Sequence, residues 1–191
     1  MKKFLSEFSF PGAAKYRICL LLPAALLIAL DQLFKYLATV SLKGQPAVPI
    51  IDGVFELVYV ENSGAAFSIL ENQRVFFIIL TSVVMLFLLT VMMSGRYRRH
   101  MLLNISFVLV LSGGIGNLID RCRFGHVVDY LYFKWIHFPV FNFAVCCLVI
   151  GAIAMLIFFF FIYEDTSAPA RTRKTSAKES MDDQQKLEDN G

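Results

Sequence analysis

Residues 75–93 read VFFIILTSVVMLFLLTVMM, a run without Asp, Glu, Lys, Arg or His. A helix needs about 20 mainly apolar residues to cross the hydrocarbon core of a bilayer, so this stretch predicts a membrane span. Two further runs, 101–119 and 138–163, lack the same five residue types. The whole chain is 57% hydrophobic and only 17% charged, which is typical of a membrane protein and not of a soluble domain.

A fourth apolar segment, 18–40, is interrupted only by Asp31, Gln32 and Lys35. Its apolar core at 18–30 follows several cations, which is also the pattern of a cleaved secretory signal. However, no small-x-small cleavage pattern follows Leu30, and the apolar pattern continues to residue 40. We therefore interpret it as the first of four spans: 18–40, 75–93, 101–119 and 138–163.

The cations predict how these spans are oriented. They cluster before the first span, between the second and third, and after the fourth, and such loops face the cytoplasm. Both termini are then cytoplasmic, and the connections 41–74 and 120–137 lie outside. The positive charges mainly mark the cytoplasmic segments, so the net charge of +3 does not indicate a nucleic-acid partner.

The fold class predicted is an all-α membrane protein with four transmembrane helices. A small extracytoplasmic β element is expected between helices 1 and 2, because 54–60 is rich in β-branched and aromatic residues and ends at an Asn-Ser-Gly turn. Residues 1–163 form the four-span domain. Residues 164–191 have few apolar side chains and are predicted to be a disordered cytoplasmic tail.

The cysteines and histidines predict neither a disulfide framework nor a metal site. Three of the four cysteines fall inside spans, and the three histidines are scattered without the spacing of metal ligands. No metal and no cofactor is therefore expected.

Polar residues are expected to converge at the outer membrane face. Asp31 and Lys35 are four apart on a helix and can pair, which favours a structural ion pair. Asp120 is expected to be neutralised by Arg121, and Asn142 to lie in the first or second turn of the fourth span. Polar groups within a membrane are expensive and usually functional. The converging residues are Asp31, Asn62, Asn117, Asp120, Asp129 and Asn142.

Five segments in this order resemble the lipoprotein signal peptidases, the type II signal peptidases of bacterial membranes. They are DQLFK at 31–35, ENSGAAFS at 61–68, GGIGNLIDR at 113–121, GHVVDY at 125–130 and FPVFNFA at 138–144. The resemblance implies an aspartyl endopeptidase of the bacterial plasma membrane with an extracytoplasmic active site. Its substrates would be diacylglyceryl-modified prolipoproteins, cleaved before the lipid-modified cysteine.

The resemblance also assigns roles to residues. It implies that Asp129 is one catalytic carboxylate, while the second normally closes the motif Phe-Asn-x-Ala-Asp, where this chain has Val145. Substrate binding or support of the site is expected from Asp31, Lys35, Asn62, Gly64, Asn117, Asp120, Arg121 and Asn142. Because an aspartyl mechanism divides its work between two carboxyl groups, we expect this chain to be severely impaired.

Two alternatives remain open at the level of sequence. A catalytically inactive homologue that binds lipoprotein precursors or signal peptides would keep the same groove residues. An ion or proton transporter would use Asp31, Lys35 and Asp129 as a relay. The inner halves of the spans lack ionisable residues, which speaks against the transporter.

Overall fold

The computed structural model describes residues 12–64 and 73–163. The predicted disordered tail at 164–191 lies outside the described residues. The elements, in chain order, are α1 (Ala13–Leu42), β1 (Val48–Ile51), β2 (Phe55–Asn62), α2 (Arg74–Ser94), α3 (Met101–Phe124), β3 (Val127–Phe133) and α4 (Phe143–Ile157), followed by a π-helix at Phe158–Ile162. The chain divides into two compact units, 1–155 and 156–191.

Four helices of the described residues are long and apolar enough to cross a membrane, as the sequence predicts. In the most apolar part of α3, 67% of the residues are buried, against 11–17% in the other three helices. Helix α3 is therefore the central one, and α1 and α2 both pack against it. The other helices expose large apolar side chains such as Leu22, Val75 and Leu86, as expected of surfaces that face lipid.

Close packing of α3 depends on its glycines. A Cβ at Gly113 would collide with the backbone carbonyl of Ala144, and one at Gly116 would lie 2.5 Å from Oδ2 of Asp31. Without a hydrophobic driving force between helices in lipid, association relies on this kind of close contact between small residues. Gly116 thus leaves room for a carboxylate from α1 against the backbone of α3.

The β element is larger than the sequence predicts. Strands β1 and β2 come from the first long connection, but β3 comes from the connection between α3 and α4, and the antiparallel order is β1-β2-β3. Side chains alternate on β3, so Val128 and Tyr130 pack with Ala38 and Leu42 of α1. This alternation turns Asp129, between them, to the other face.

The final helix begins later than the apolar run suggests. Phe141 forms a bridge to Leu131, with N–H···O distances of 2.8 and 3.0 Å in the two directions, so 138–141 is extended and not helical. Helix α4 therefore starts at Phe143. This bridge brings the start of α4 alongside β3, the strand that carries Asp129.

Candidate active site

Asp129 is held by two side-chain amides. It is only 3% exposed, and its Oδ2 accepts a hydrogen bond of 2.8 Å from Nδ2 of Asn62 on β2. Its Oδ1 accepts one of 2.6 Å from Nδ2 of Asn142. Burial raises the pKa of Asp129 to about 6, although both amides favour the ionised form. The carboxyl can therefore be either protonated or ionised near neutral pH.

Asn142 joins β3 to the start of α4. It immediately precedes the helix instead of lying in its first or second turn, and its Oδ1 accepts the N–H of Val145 at 2.9 Å, the geometry of an N-cap. Its Nδ2 also lies 3.1 Å from Oδ1 of Asn117 and 3.2 Å from the carbonyl of Val128. Every polar atom of this fully buried side chain is used in fixing the two segments together.

A buried charge cluster lies behind Asn142. The predicted pair of Asp31 and Lys35 is present at 2.8 Å, and Lys35 Nζ lies equally close to Asp120 Oδ2 and to Asn117 Oδ1. The second carboxylate oxygen of Asp31 accepts the N–H of Ala144 at 3.0 Å. The cluster therefore ties α1 to α3 and to the first turn of α4.

Arg121 does not pair with Asp120, which corrects the expectation from sequence. Consecutive helical residues do not face each other, and the charge partner of Asp120 is Lys35 on another helix. Arg121 donates instead to the carbonyl of Gly64 at 3.0 Å, and its guanidinium lies 4.8 Å from the ring centre of Phe77. Arg121 thus holds the end of the β2 segment next to the site.

The structure brings all six converging residues into one network. Asn62 contacts Asp129, Asp129 contacts Asn142, Asn142 contacts Asn117, and Asn117 contacts Lys35. Asp31 and Asp120 complete it through their pairs with Lys35.

Sequence reasoning missed Gln32, whose Nε2 donates to Asp120 Oδ1 at 2.9 Å. The available signal was its position beside Asp31 in an otherwise apolar segment.

Asp129 and Val145 line the same cavity, which has a volume of about 300 Å³. Beside Asp129, its polar wall comprises Asn62, Asn117 and Arg121. Its apolar wall comprises Val127, Phe138, Pro139, Val140, Phe141, Val145 and Val149. Among the lining residues in the described part of the chain, Asp129 is the one carboxylate.

A bundle of apolar helices around a buried polar network is the architecture of a multi-pass membrane enzyme. Solved structures share it: one described as a bacterial membrane enzyme at 2.3 Å resolution aligns with a TM-score of 0.68 and 27% identity, over 79% of this chain and 91% of that one. A second, described in the same words at 1.9 Å resolution, aligns with the same score and identity over 75% and 94%.

The family model described as "Signal peptidase (SPase) II" matches residues 23–161, and the chain belongs to that family. The lipoprotein signal peptidase of Halothermothrix orenii is 45% identical over 134 residues, which are 70% of this chain and 89% of the relative. That of Syntrophotalea carbinolica is 46% identical over 150 residues, 75% and 91% of the two chains. The protein is thus a member of a family of membrane hydrolases of lipoprotein processing.

Proposed function

We propose that the cavity of this chain receives the signal peptide of a diacylglyceryl-modified prolipoprotein and that Asp129 is its catalytic carboxylate. The proposal includes the orientation inferred from the cations, with cytoplasmic termini and the cavity at the extracytoplasmic face of the bacterial plasma membrane. It is supported by family membership, because the curated relatives named above are lipoprotein signal peptidases. The single observation that carries it is that Asn142 bonds both the Asp129 carboxylate and the backbone of position 145.

An aspartyl peptidase needs two carboxyl groups in opposite protonation states. The ionised one removes a proton from water while the protonated one polarises the peptide carbonyl, and their proximity separates their pKa values. Asp129 can take either state but not both at once, and Val145 can take neither role. General acid or base catalysis contributes roughly 10²–10⁴-fold, so the cleavage rate of this chain should be lower by about that factor than with a second aspartate.

The two walls of the cavity fit a peptide substrate. The polar wall offers amide and guanidinium donors that can bind peptide carbonyls, and the apolar wall can pack against apolar side chains. Phe141, which lines the cavity, exchanges backbone hydrogen bonds with Leu131 of β3, so the backbone beside the cavity is extended at this point. A signal peptide bound in extended form would present its carbonyls to Asp129.

The test is cleavage of a purified prolipoprotein by the full chain in lipid nanodiscs. We expect Val145→Asp to raise the rate at least a hundredfold and to give a pH profile with two limbs. Val145→Asn, which matches aspartate in size but cannot act as an acid or base, should not raise the rate. Asp129→Asn in the Val145→Asp background should abolish the gain. Equal activity of the unaltered chain and Val145→Asp would contradict the role given to position 145.

A second function, binding of prolipoproteins or released signal peptides without cleavage, is favoured by one observation. Within residues 12–64 and 73–163, every buried polar side-chain atom has a hydrogen-bond partner without a second acid, and position 145 contributes its N–H. This binding role would be favoured if the unaltered chain captured a lipid-modified precursor without cleaving it. The capture should then persist in Asp129→Asn and be lost in Asn142→Ala. Measurable turnover that Asp129→Asn removes would favour the peptidase.

A further inference from the structure

A second cavity, of about 490 Å³, lies between the first halves of α1 and α3 and shares no lining residue with the active-site cavity. Exposed Arg98 and Arg99 line it at one end, in the turn before α3. Most of its remaining wall is apolar and comes from both helices: Leu20, Pro23, Leu27, Ile105, Val108 and Leu109. A volume of this size is in the range of small-molecule binding sites.

The described segments of α1 and α3 that line this cavity, with the turn before α3, carry charge of one sign. In the described residues 12–27 and 94–109 there are five Lys or Arg side chains and no Asp or Glu. The turn that bears the two arginines is fixed, because Asn104 Nδ2 donates to the carbonyl of Arg98 at 3.3 Å and Asn104 Oδ1 accepts from Tyr16 at 2.9 Å. Cations are therefore held at one end of an apolar groove, which suits an amphipathic ligand with an anionic end.

The length of the groove matches one leaflet of a bilayer. Helix α3 rises about 12 Å from Met101 to Leu109, close to half of the roughly 30 Å hydrocarbon thickness. Arginine pairs with phosphate through two parallel hydrogen bonds, and basic pockets between membrane helices bind anionic head groups.

We propose that this groove binds an anionic phospholipid, with its phosphate at Arg98 and Arg99 and one acyl chain between α1 and α3. A lipid seated there would fill the gap between the two helices that carry the charge cluster of the active site. The proposal does not depend on the catalytic role of Asp129 or on which leaflet the groove faces.

The test is native mass spectrometry of the delipidated full chain with equal amounts of phosphatidylglycerol and phosphatidylcholine. We expect preferential binding of phosphatidylglycerol and roughly twentyfold weaker binding in Arg98→Gln/Arg99→Gln, since each cation near an anionic lipid contributes about a fivefold gain. Ile105→Trp, which places an indole in the acyl groove, should weaken binding as well. Arg96→Gln is the matched control, because Arg96 lies in the same turn but does not line the cavity.

Several results would overturn the proposal. Equal binding of the two lipids would show that the arginines do not select an anionic head group. The same loss in Arg96→Gln as in the double variant would reduce the effect to general surface charge. Equal stabilisation of the chain by inorganic phosphate alone would assign the arginines to a free anion. Binding that appears only after removal of residues 1–11 would assign the groove to that segment. Unchanged lipid binding in Ile105→Trp would place the acyl chain elsewhere.

Discussion

Replacing Lys35 by methionine should destabilise the fold far more than removing an ordinary salt bridge. The ammonium group contacts Asp31 and Asp120, each at 2.8 Å, and the side chains of all three are at most 4% exposed. Without Lys35, two carboxylates would share a buried site without a cation. Removing one partner of a buried ion pair costs about 3–5 kcal/mol. At 2–4 °C per kcal/mol for a chain of this size, the unfolding temperature should fall by roughly 6–20 °C.

The matched control is Lys43→Met. Lys43 makes an ion pair of 2.7 Å with Glu61, but the two side chains are 57% and 41% exposed, so water replaces the lost contact. Both variants are to be heated in the same detergent and followed by helical circular dichroism. We expect a clear fall for Lys35→Met and no measurable change for Lys43→Met. Adding Asp120→Asn to Lys35→Met should recover part of the loss, because it removes one of the two unpaired charges.

An electrostatic origin of the stability of the cluster would be wrong if the two single lysine variants unfolded at the same temperature. It would also fail if Asp120→Asn made the Lys35→Met variant still less stable, because the cluster would then be held by the shape of its side chains and not by charge.

Two further predictions concern the same region. The pKa of Asp129 is about 6 in the folded chain and about 3.9 in an unfolded one. The folded state therefore binds the proton more tightly than the unfolded state. The free energy of unfolding should fall by at most about 3 kcal/mol as pH rises from about 4 to 6. Denaturant unfolding at several pH values should show this slope, and Asp129→Asn should remove it; an unchanged slope would assign it to another group. Gly116→Ala places a methyl group 2.5 Å from the Asp31 carboxylate and should markedly lower the unfolding temperature. Ser112→Ala, one turn earlier, loses hydroxyl bonds to the carbonyls of Val108 and Leu109 and a contact with the Cys147 thiol, but it inserts no atom between α1 and α3 and should change the unfolding temperature much less. Equal effects of the two substitutions would mean that the close approach of α1 and α3 at Gly116 is not needed for stability.

The helices were predictable because three of them are uninterrupted apolar runs and the other is interrupted only at residues 31, 32 and 35. Runs of this kind can be recognised without knowing what they pack against. Strand β3 was not predicted, although VVDYLYF is rich in β-branched and aromatic residues. This strand forms because β2 is available to pair with it, and pairing between residues 65 to 78 positions apart is not visible in local pattern. The start of α4 at Phe143 has the same cause, since the bridge from Phe141 to Leu131 keeps the preceding residues extended.

Within the site, the sequence indicated which residues converge but not which of them pair. Asp31 and Lys35 could be paired because helical spacing alone brings them together. Asp120 was assigned to its neighbour Arg121 on proximity in sequence, whereas its cation comes from another helix. Spacing in the sequence predicts contacts within one helix. Contacts between helices depend on how the helices pack, which here is the packing of α1 on α3.

Position 145 is hydrogen-bonded to the rest of the site through its backbone. This hydrogen bond joins the backbone N–H of residue 145 to Oδ1 of Asn142, and any residue except proline can supply it. The charge cluster reaches the same turn through the N–H of Ala144, which is again a backbone contact. A side chain at 145 can therefore change without loss of a supporting bond, and valine avoids a second carboxylate beside buried Asp129. If position 145 has the proposed catalytic role, stability and catalysis should be separable there, so the proposed chemistry requires that Val145→Asp increase cleavage without a rise in unfolding temperature.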